Sequence, residues 1–302
     1  MGLIDHQEKV SQGNAMVTQI APLVIYHGTG CLDGFGSAYA AYCFFKKEQG
    51  VDAEYLAVAH GDVLNLEVGG RDIYIVDFSF KRDVLSGLCD KANKVVVLDH
   101  HESAQKELEG LDDLYSNLTV VFDMARSGAV ITWEYFHQVP VPPLLANIQD
   151  RDLWQFRIPD SKHVNAALMS YPYEFELWDQ FANCNDHLKT LIIEGRAINR
   201  FRDKMIETYK KKVIFGKIAG FTVPIVSCPN VITSELLSEL AIGHPFAASY
   251  SDKGDKRGWS LRSTKEGENV ASIAATFGGG GHPNAAGFGV SITGQTFEVL
   301  PE

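Results

Sequence analysis

The chain has 302 residues, 45% of them hydrophobic and 22% charged, with a formal net charge of −11 and an isoelectric point near 5.4. That composition suits a soluble globular protein long enough for two moderate domains. It supplies no global basic field that would draw long duplex nucleic acid or an acidic membrane surface, so an anionic substrate must be captured locally.

Cysteines at 31, 43, 89, 184 and 228 form an odd set with no C-x-x-C pair, which favours a reducing compartment over a disulfide framework. No run approaches the roughly 20 apolar residues of a membrane helix, and a cytoplasmic location is expected. The opening "MGLIDHQEKVSQGNAM" has neither a basic leader nor an apolar core. It reads as a short helical arm or as a leader ahead of a start at Met16.

Along the first half, "PLVIY" (22–26), "AEYLAV" (53–58), "DIYIVDF" (72–78) and "KVVVLD" (94–99) are predicted strands. Their continuous apolar character suits a parallel sheet covered on both faces. Helical patterns lie at 35–49, at 81–92 and after His101, and the alternation predicts a doubly wound α/β domain with its ligands at the strand carboxyl ends. "SGAVITWEYFHQ" (127–138) and "PPLLANIQD" (142–150) are predicted helices, with Trp133, Tyr135 and Phe136 as core. A long amphipathic helix runs from 186 to 212, its apolar stripe marked by Leu188, Leu191, Ile192, Ile198, Met205, Ile206 and Tyr209. Beyond it the pattern is mixed: strands near 213–226, 245–250 and 258–262, a helix near 269–277, then "FGGGGHPNAAGFGV".

Four predicted elements end in carboxylates or imidazoles. His27, Cys31 and Asp33 lie in "YHGTGCLDGFG", Asp77 ends "IYIVD", Asp99, His100 and His101 end "VVVLDHH", and Asp150 ends a helix in "IQDRDLW". Two carboxylates about 4 Å apart repel by about 4 kcal/mol at an effective dielectric near 20. Several meeting in one cleft therefore require cations, and oxygen and imidazole donors suit divalent metals. Two such metals activate water and stabilise both the attacking and the leaving oxygen at phosphorus. Near the carboxyl end, Arg262 closes "WSLR" and "GGGGHPNAAGF" follows a helix. Successive glycines free backbone N–H groups to face an anion, and an anion at the helix opened by Ser127 is also physically sensible, as is a plain capping serine. Arg151 and Asp152 are left open between a supporting ion pair and a solvated one.

"LDHH" together with "FGGGGHPNAAGF" resembles the DHH phosphoesterase superfamily, in the group with a DHH-associated carboxyl-terminal domain: RecJ-like exonucleases, oligoribonuclease/pAp-phosphatase proteins and exopolyphosphatase-like relatives. The resemblance covers nearly the whole chain. It implies a Rossmann-like catalytic domain over 1–185, a helical connector over 186–212 and a smaller mixed α/β substrate-binding domain over 213–302. It also implies hydrolysis of phosphoric ester or anhydride bonds with two divalent metals, usually manganese.

Carried over, Asp77 bridges both metals, His27 belongs to the first, and Asp33, His100 and Asp150 hold the second. Asp99 orients an imidazole, and His101 faces the substrate phosphate or leaving group. Arg262, Gly280, Gly281, His282, Asn284 and Ser127 are the substrate-binding candidates. Where relatives with an H-x3-D-x-D motif place a first-metal carboxylate, this chain has Cys31; a soft thiolate suits zinc or iron better than manganese, so a weaker first site is expected.

The expected substrate is a short single-stranded oligonucleotide or linear dinucleotide, since long duplex binding depends on neutralising many phosphates. No membrane partner is expected, and a homodimer is compatible with the sequence. The alternatives are an exopolyphosphatase, a pAp phosphatase, or a catalytically weak nucleotide-binding module.

Overall fold

The computed structural model describes residues 20–28, 30–59, 62, 67–292 and the backbone of 298–299; the expectations for residues 1–16 fall outside them. Five short strands build the first sheet: β1 (Leu23–His27), β2 (Glu54–Val58), β3 (Asp72–Val76), β4 (Lys94–Asp99) and β5 (Leu118–Phe122). They lie in the order β2-β1-β3-β4-β5 and every pairing is parallel. Alternate residues of a strand point to opposite faces, and here both faces are apolar. Ile25, Ile73, Ile75, Val95 and Val97 pack with Leu85 and Cys89 of α2 (Arg82–Cys89) and Leu108 of α3 (Glu102–Leu108). Val24, Tyr74, Val76, Val96 and Leu98 pack on the other side with Ala41 of α1 (Leu32–Tyr42), Phe45, and Ile131 of α4 (Gly128–Phe136). This two-sided burial is why the strands read as unbroken apolar runs.

The strand order reverses between β1 and β3, because the connection from β1 leads outward to β2 and the chain then returns to the other side. At such a switch point the crossovers diverge and leave a crevice at the strand carboxyl ends. His27 ends β1 there, and Asp77 follows β3.

Several elements depart from expectation. Helix α1 passes into a π-helical turn at Cys43–Glu48, β5 is an additional strand, and α5 (Pro143–Asp152) runs two residues beyond the predicted end at Asp150. Helices α6 (Ser161–Leu168), α7 (Phe175–Asn183) and α9 (Asn230–Leu240) are also additional. Short helices are marginal alone and take their stability from tertiary packing, which leaves a faint local pattern. Val164, Ala167, Leu168 and Trp178 supply that packing for α6 and α7.

The long helix α8 (Asn185–Lys210) lies against α6. Their approach depends on Gly195: a Cβ there would fall 1.8 Å from the carbonyl oxygen of His163. Among the described residues no helix is long and apolar enough to cross a membrane.

The second sheet contains β6 (Ile214–Ile218), β7 (Phe221–Ser227), β8 (Ala247–Lys253), β9 (Lys256–Arg262), β10 (Gly280–His282), β11 (Ala285–Ser291) and β12 (Glu298–Val299). Its order is β10-β11-β9-β8-β7-β6-β12, mixed because β7 and β8 run parallel while the other pairs are antiparallel. The single run expected near 213–226 is two strands, split where Ala219 and Gly220 take positive φ. Ile225, Phe246, Trp259 and Leu261 form its core with α10 (Val270–Ala275).

The glycines allow a direct test of this packing. Gly195→Ala is expected to destabilise the protein by about 1–3 kcal/mol or more, because the added methyl meets backbone. Gly87→Ala, in α2 with nothing within 4 Å of its added Cβ, should stabilise by about 0.5–1 kcal/mol. Denaturant midpoints at unchanged slope would report both; equal and small effects would contradict the close α6–α8 approach.

Candidate metal centre

Asp77 organises the site. Its nitrogen donates to the carbonyl of Leu98 on the neighbouring strand at 2.9 Å, and its φ of +51° turns the chain sharply just after β3. Asp tolerates that left-handed conformation better than bulkier residues do. The turn points the buried carboxylate back along the sheet edge, where its two oxygens face different neighbours. Oδ2 lies 3.7 Å from His27 Nδ1 and 3.6 Å from Cys31 Sγ. Oδ1 lies 3.1 Å from His100 Nε2. The same His100 nitrogen is 3.5 Å from Asp33 Oδ2 and 3.6 Å from Asp152 Oδ2.

Among the described residues four donor groups of metal-binding dimensions result, and two of them include His101, with Asp77 and Asp99 or with His100 and His282. The other two flank Asp77: His27, Cys31 and Asp77 on one side, and Asp33, His100 and Asp152 on the other. Asp77 is close to both.

Each of the other carboxylates is held by local structure. Asp33, in the first turn of α1, accepts from the backbone N–H of Gly128 at 2.6 Å and of Ala129 at 3.1 Å. The amino end of α4 is thus filled by a carboxylate from within the protein, as its partial positive charge favours. Gly128 is required at that point, because a Cβ would lie 2.5 Å from Asp77 Cβ. Ser127 is correspondingly not placed to hold substrate. It is fully buried, its Oγ accepts from Val130 N–H as the cap of α4, and its own N–H donates to Gln149 Oε1.

Asp150 does not join the donor groups, which corrects the expectation that it is a ligand. Its Oδ1 accepts from Arg157 N–H at 2.8 Å, and its Oδ2 accepts from Ile158 N–H at 3.0 Å and from Ser161 Oγ at 2.5 Å. Both oxygens secure the loop after α5. Asp152 takes the place in the group instead. Two residues apart on a helix is about 200° of rotation, so only one of the pair can face the crevice. Asp152 extends the Leu144–Ile148 row that packs toward α1, where Ile148 and Leu145 meet Gly36. That row is the signal by which it was identifiable. Arg151 is not its ion-pair partner; its Nη2 lies 3.3 Å from Glu235 Oε1 of α9.

Asp99 supports from behind. Its Oδ1 accepts from His101 Nδ1 at 2.6 Å and from His100 N–H at 2.7 Å, and its Oδ2 accepts from Ser79 Oγ at 2.8 Å. Tying Nδ1 leaves His101 to present Nε2 outward. The ring of His101 stacks on that of His282 at 4.4 Å, and His100 lies 4.7 Å from the same ring. The second sheet thereby reaches the crevice.

The last two glycines of the run are not in an open loop but begin the edge strand β10. Gly280 and Gly281 lie against Ser103 of α3, whose Oγ accepts from Gly281 N–H at 3.3 Å. Gly281 must be glycine because a Cβ would be 2.5 Å from Ala285 O. Asn284 is a turn residue, its Nδ2 donating to Ser263 Oγ and Thr264 O, rather than a substrate contact. Arg262 donates to Leu261 O and Ser234 Oγ.

The electrostatics of the bare site favour cations. Burial, then the charges of Asp77 and Asp152, push the Asp33 carboxyl well above its usual range. Burial, then Asp77, raises Asp152 against the pull of His100. Cys31 is raised by burial and by Asp77, Asp152 and Asp33. Burial also opposes ionisation of Asp77, but hydrogen bonds from His100 and His27 hold it well below the carboxylate range. His100 is pushed up to about 11: burial works against its charge, and Asp77, Asp152 and Asp33 overcome it.

Asp152 Oδ2 is buried without a hydrogen-bond partner among the described residues. An orphaned buried carboxylate oxygen beside two other carboxylates is what a divalent cation relieves, and the donor set fits one. Opposite it, His282 is held neutral, its pKa lowered to about 3 by burial and by His101 and His100. Burial and the like charge of Arg151 lower Arg262 to about 10.

No family model matches the chain. A curated relative, an uncharacterized protein of Acanthamoeba polyphaga mimivirus, is 32% identical over 301 residues, spanning 89% of this chain and 67% of that protein. Among solved structures, the DHH domain of a member of a ribosomal-protein family matches with a TM-score of 0.56 at 11% identity, over 93% of this chain and 83% of the other. A pGpG-specific phosphodiesterase from Vibrio cholerae, PggH, matches with a TM-score of 0.42 at 12% identity, over 91% and 94%. The chain shares the fold of that DHH domain, and on it the "LDHH" and "GGGGHP" motifs of this chain meet across one crevice.

Proposed function

We propose that the protein is a metal-dependent phosphodiesterase that hydrolyses short single-stranded oligonucleotides or linear dinucleotides, with manganese as the working metal. The observation that carries this reading is the division of one buried carboxylate, Asp77, between two donor groups. His27 and Cys31 would hold one cation with Asp77, and Asp33, His100 and Asp152 the other. Bound there, two divalent cations supply an activated water at neutral pH and neutralise charge on a phosphate.

The chain's own groups do the rest. Asp99 fixes the orientation of His101, whose Nε2 edge is available to a phosphate oxygen or leaving oxygen. Arg262 brings a guanidinium suited to a phosphate oxygen pair from the opposite sheet. His282, kept neutral, offers a ring nitrogen without adding positive charge beside His100. Cys31 makes the first group the softer and, for manganese, the weaker of the two.

The direct test offers the manganese-loaded protein labelled di- to pentanucleotides, pAp and polyphosphate. Mononucleotide release, eliminated in Asp77→Ala, is the expected result; orthophosphate released from polyphosphate alone, or binding without turnover, would overturn the reading.

Metal titrations separate the two neighbouring aspartates. Asp152→Asn is expected to cost about 10- to 100-fold in manganese affinity while raising the melting temperature of the metal-free protein, since a carboxylate charge that its acidic neighbours disfavour is gone. Asp150→Asn should lower that melting temperature through the loosened loop. Cys31→Asp should tighten the weaker manganese step and leave the other unchanged. Equal manganese affinities in wild type and Asp152→Asn would remove Asp152 from the site.

The same charges set opposite pH responses. Asp33, Asp152, His100 and His101 all have raised pKa values in the bare protein. His100, raised to about 11, keeps its proton in the folded chain while an unfolded histidine, titrating near 6.5, has largely lost its own at pH 8; the unfolded chain therefore binds fewer protons there, and stability is expected to rise as pH falls from 8 to 6.5. Asp77 and Asp99, which are lowered, stay ionised in both states over that window. His282, held neutral, works against the trend increasingly as pH falls toward 6.5 and below. Metal loading needs deprotonated ligands, so the manganese-induced rise in melting temperature should shrink over the same interval. A metal-free protein that loses stability between pH 8 and 6.5 would contradict this charge arrangement.

A further inference from the structure

We propose that Trp154 and Phe156, in the loop that follows Asp152, form a stacking platform for a nucleobase of the substrate; this deepens the phosphodiesterase reading and rests on it. Large aromatic side chains are the ones that folding normally hides. Trp133, Trp178 and Trp259 are at most 8% exposed, whereas Trp154 is 41% and Phe156 38% exposed. The two rings meet edge to face, 4.9 Å apart with planes at 74°, and so hold one another in a fixed corner.

The backbone is built to keep them outside. Trp154 and Phe156 have φ of +54° and +49°, a region that bulky side chains rarely enter. Asp150 imposes that course. Its carbonyl accepts from the N–H of Gln155 at 2.8 Å and of Phe156 at 3.2 Å, while its carboxylate takes Arg157 N–H, Ile158 N–H and Ser161 Oγ. A buried carboxylate is thus committed to a strained turn whose product is two exposed rings. More than a third of each residue's surface stays open to solvent, and strain of this kind gathers where a ligand is met.

The location decides which ligand. The guanidinium carbon of Arg151 lies 6.0 Å from the centre of the indole ring. Arg151 adjoins Asp152 in sequence and pairs with Glu235, next to Ser234, which receives Arg262. The indole thus lies beside the guanidinium of Arg151 and two residues beyond Asp152 in the chain. A nucleotide presents the complementary pair, a π face and an anion. A polyphosphate offers only the anion, and it leaves the rings without purpose. Stacking of this type tolerates any base.

Two measurements test the platform. AMP titrated into the manganese-loaded protein should quench tryptophan emission, and the quenching should disappear in Trp154→Phe because the remaining tryptophans are buried. In kinetics, the wild-type advantage in KM for a dinucleotide over its abasic analogue should shrink about tenfold in Trp154→Ala, with kcat on the dinucleotide little changed, and should be largely kept in Trp154→Phe. Absent quenching, quenching that persists in Trp154→Phe, or an unaltered KM ratio in Trp154→Ala would overturn the proposal. Should the wild type cleave neither substrate, the phosphodiesterase reading fails separately, and the AMP titration alone decides whether a base is stacked.

Discussion

One constraint governs the molecule: carboxylates from separate elements are held within a few ångströms of one another at the sheet's switch point, Asp33 and Asp77 fully buried and Asp152 partly so. Asp33, Asp77 and Asp152 converge on a single imidazole nitrogen of His100. In water such a cluster would disperse. Here each member is fastened by something other than its neighbours: Asp33 by the amide groups of α4, Asp77 by its turn after β3, and Asp152 by the helix that carries Leu145 and Ile148. Those attachments oppose a repulsion of about 4 kcal/mol for each close pair. The unrelieved charge is a preorganised cost, which cations offset when they bind. On the proposed reading, this is how a rigid α/β scaffold would come to depend on metal.

The parts of this arrangement legible in the sequence are those where local chemistry and tertiary position agree. Strands β1, β3 and β4 announce themselves as runs that only two-sided burial explains, and their polar ends fall where the switch point puts them. His27, Cys31, Asp33, Asp77 and His100 meet because they occupy those ends. Asp150 and Asp152 were not separable by composition, since both are acidic and both sit at a helix end whose boundary is uncertain by about two residues. The rotation of α5 distinguishes them, and only its packing on α1 fixes that rotation. Ser127 carried a genuine helix-start signal, but the occupant of that helix terminus, Asp33, lies 94 residues earlier in the chain. No local pattern records it.

The glycine run illustrates a different limit. Consecutive glycines signal either an anion cradle or a close backbone approach, and sequence does not separate the two. In this protein they serve close approach. Gly279 and Gly281 leave no room for a Cβ against β11, and Gly280 adjoins Ser103. The run lets an edge strand slide beside α3 and bring His282 onto the His100–His101 rings. The run is thus where the second sheet meets α3 and the two histidines that follow β4. Asn284 and Ser263 then tie the following turn.

Contact between the two sheets has an ionic component as well. Glu235, nearly buried, receives Arg151 from α5 and Arg202 from α8. A buried pair of this kind adds little net stability against a hydrophobic alternative, but losing one partner is costly. Its consequence here is geometric: it holds Arg151 beside the crevice and near Arg262, in a chain whose net charge is −11. Beyond a Debye length of about 8 Å at physiological ionic strength, that excess of acid is largely screened and offers a long polyanion no compensating contacts. Within the crevice, Arg151, Arg262 and the proposed cations would reverse the sign. Attraction confined to so short a range can hold one or two phosphates but not a strand of many, and on the proposed reading this sets the length of the substrate.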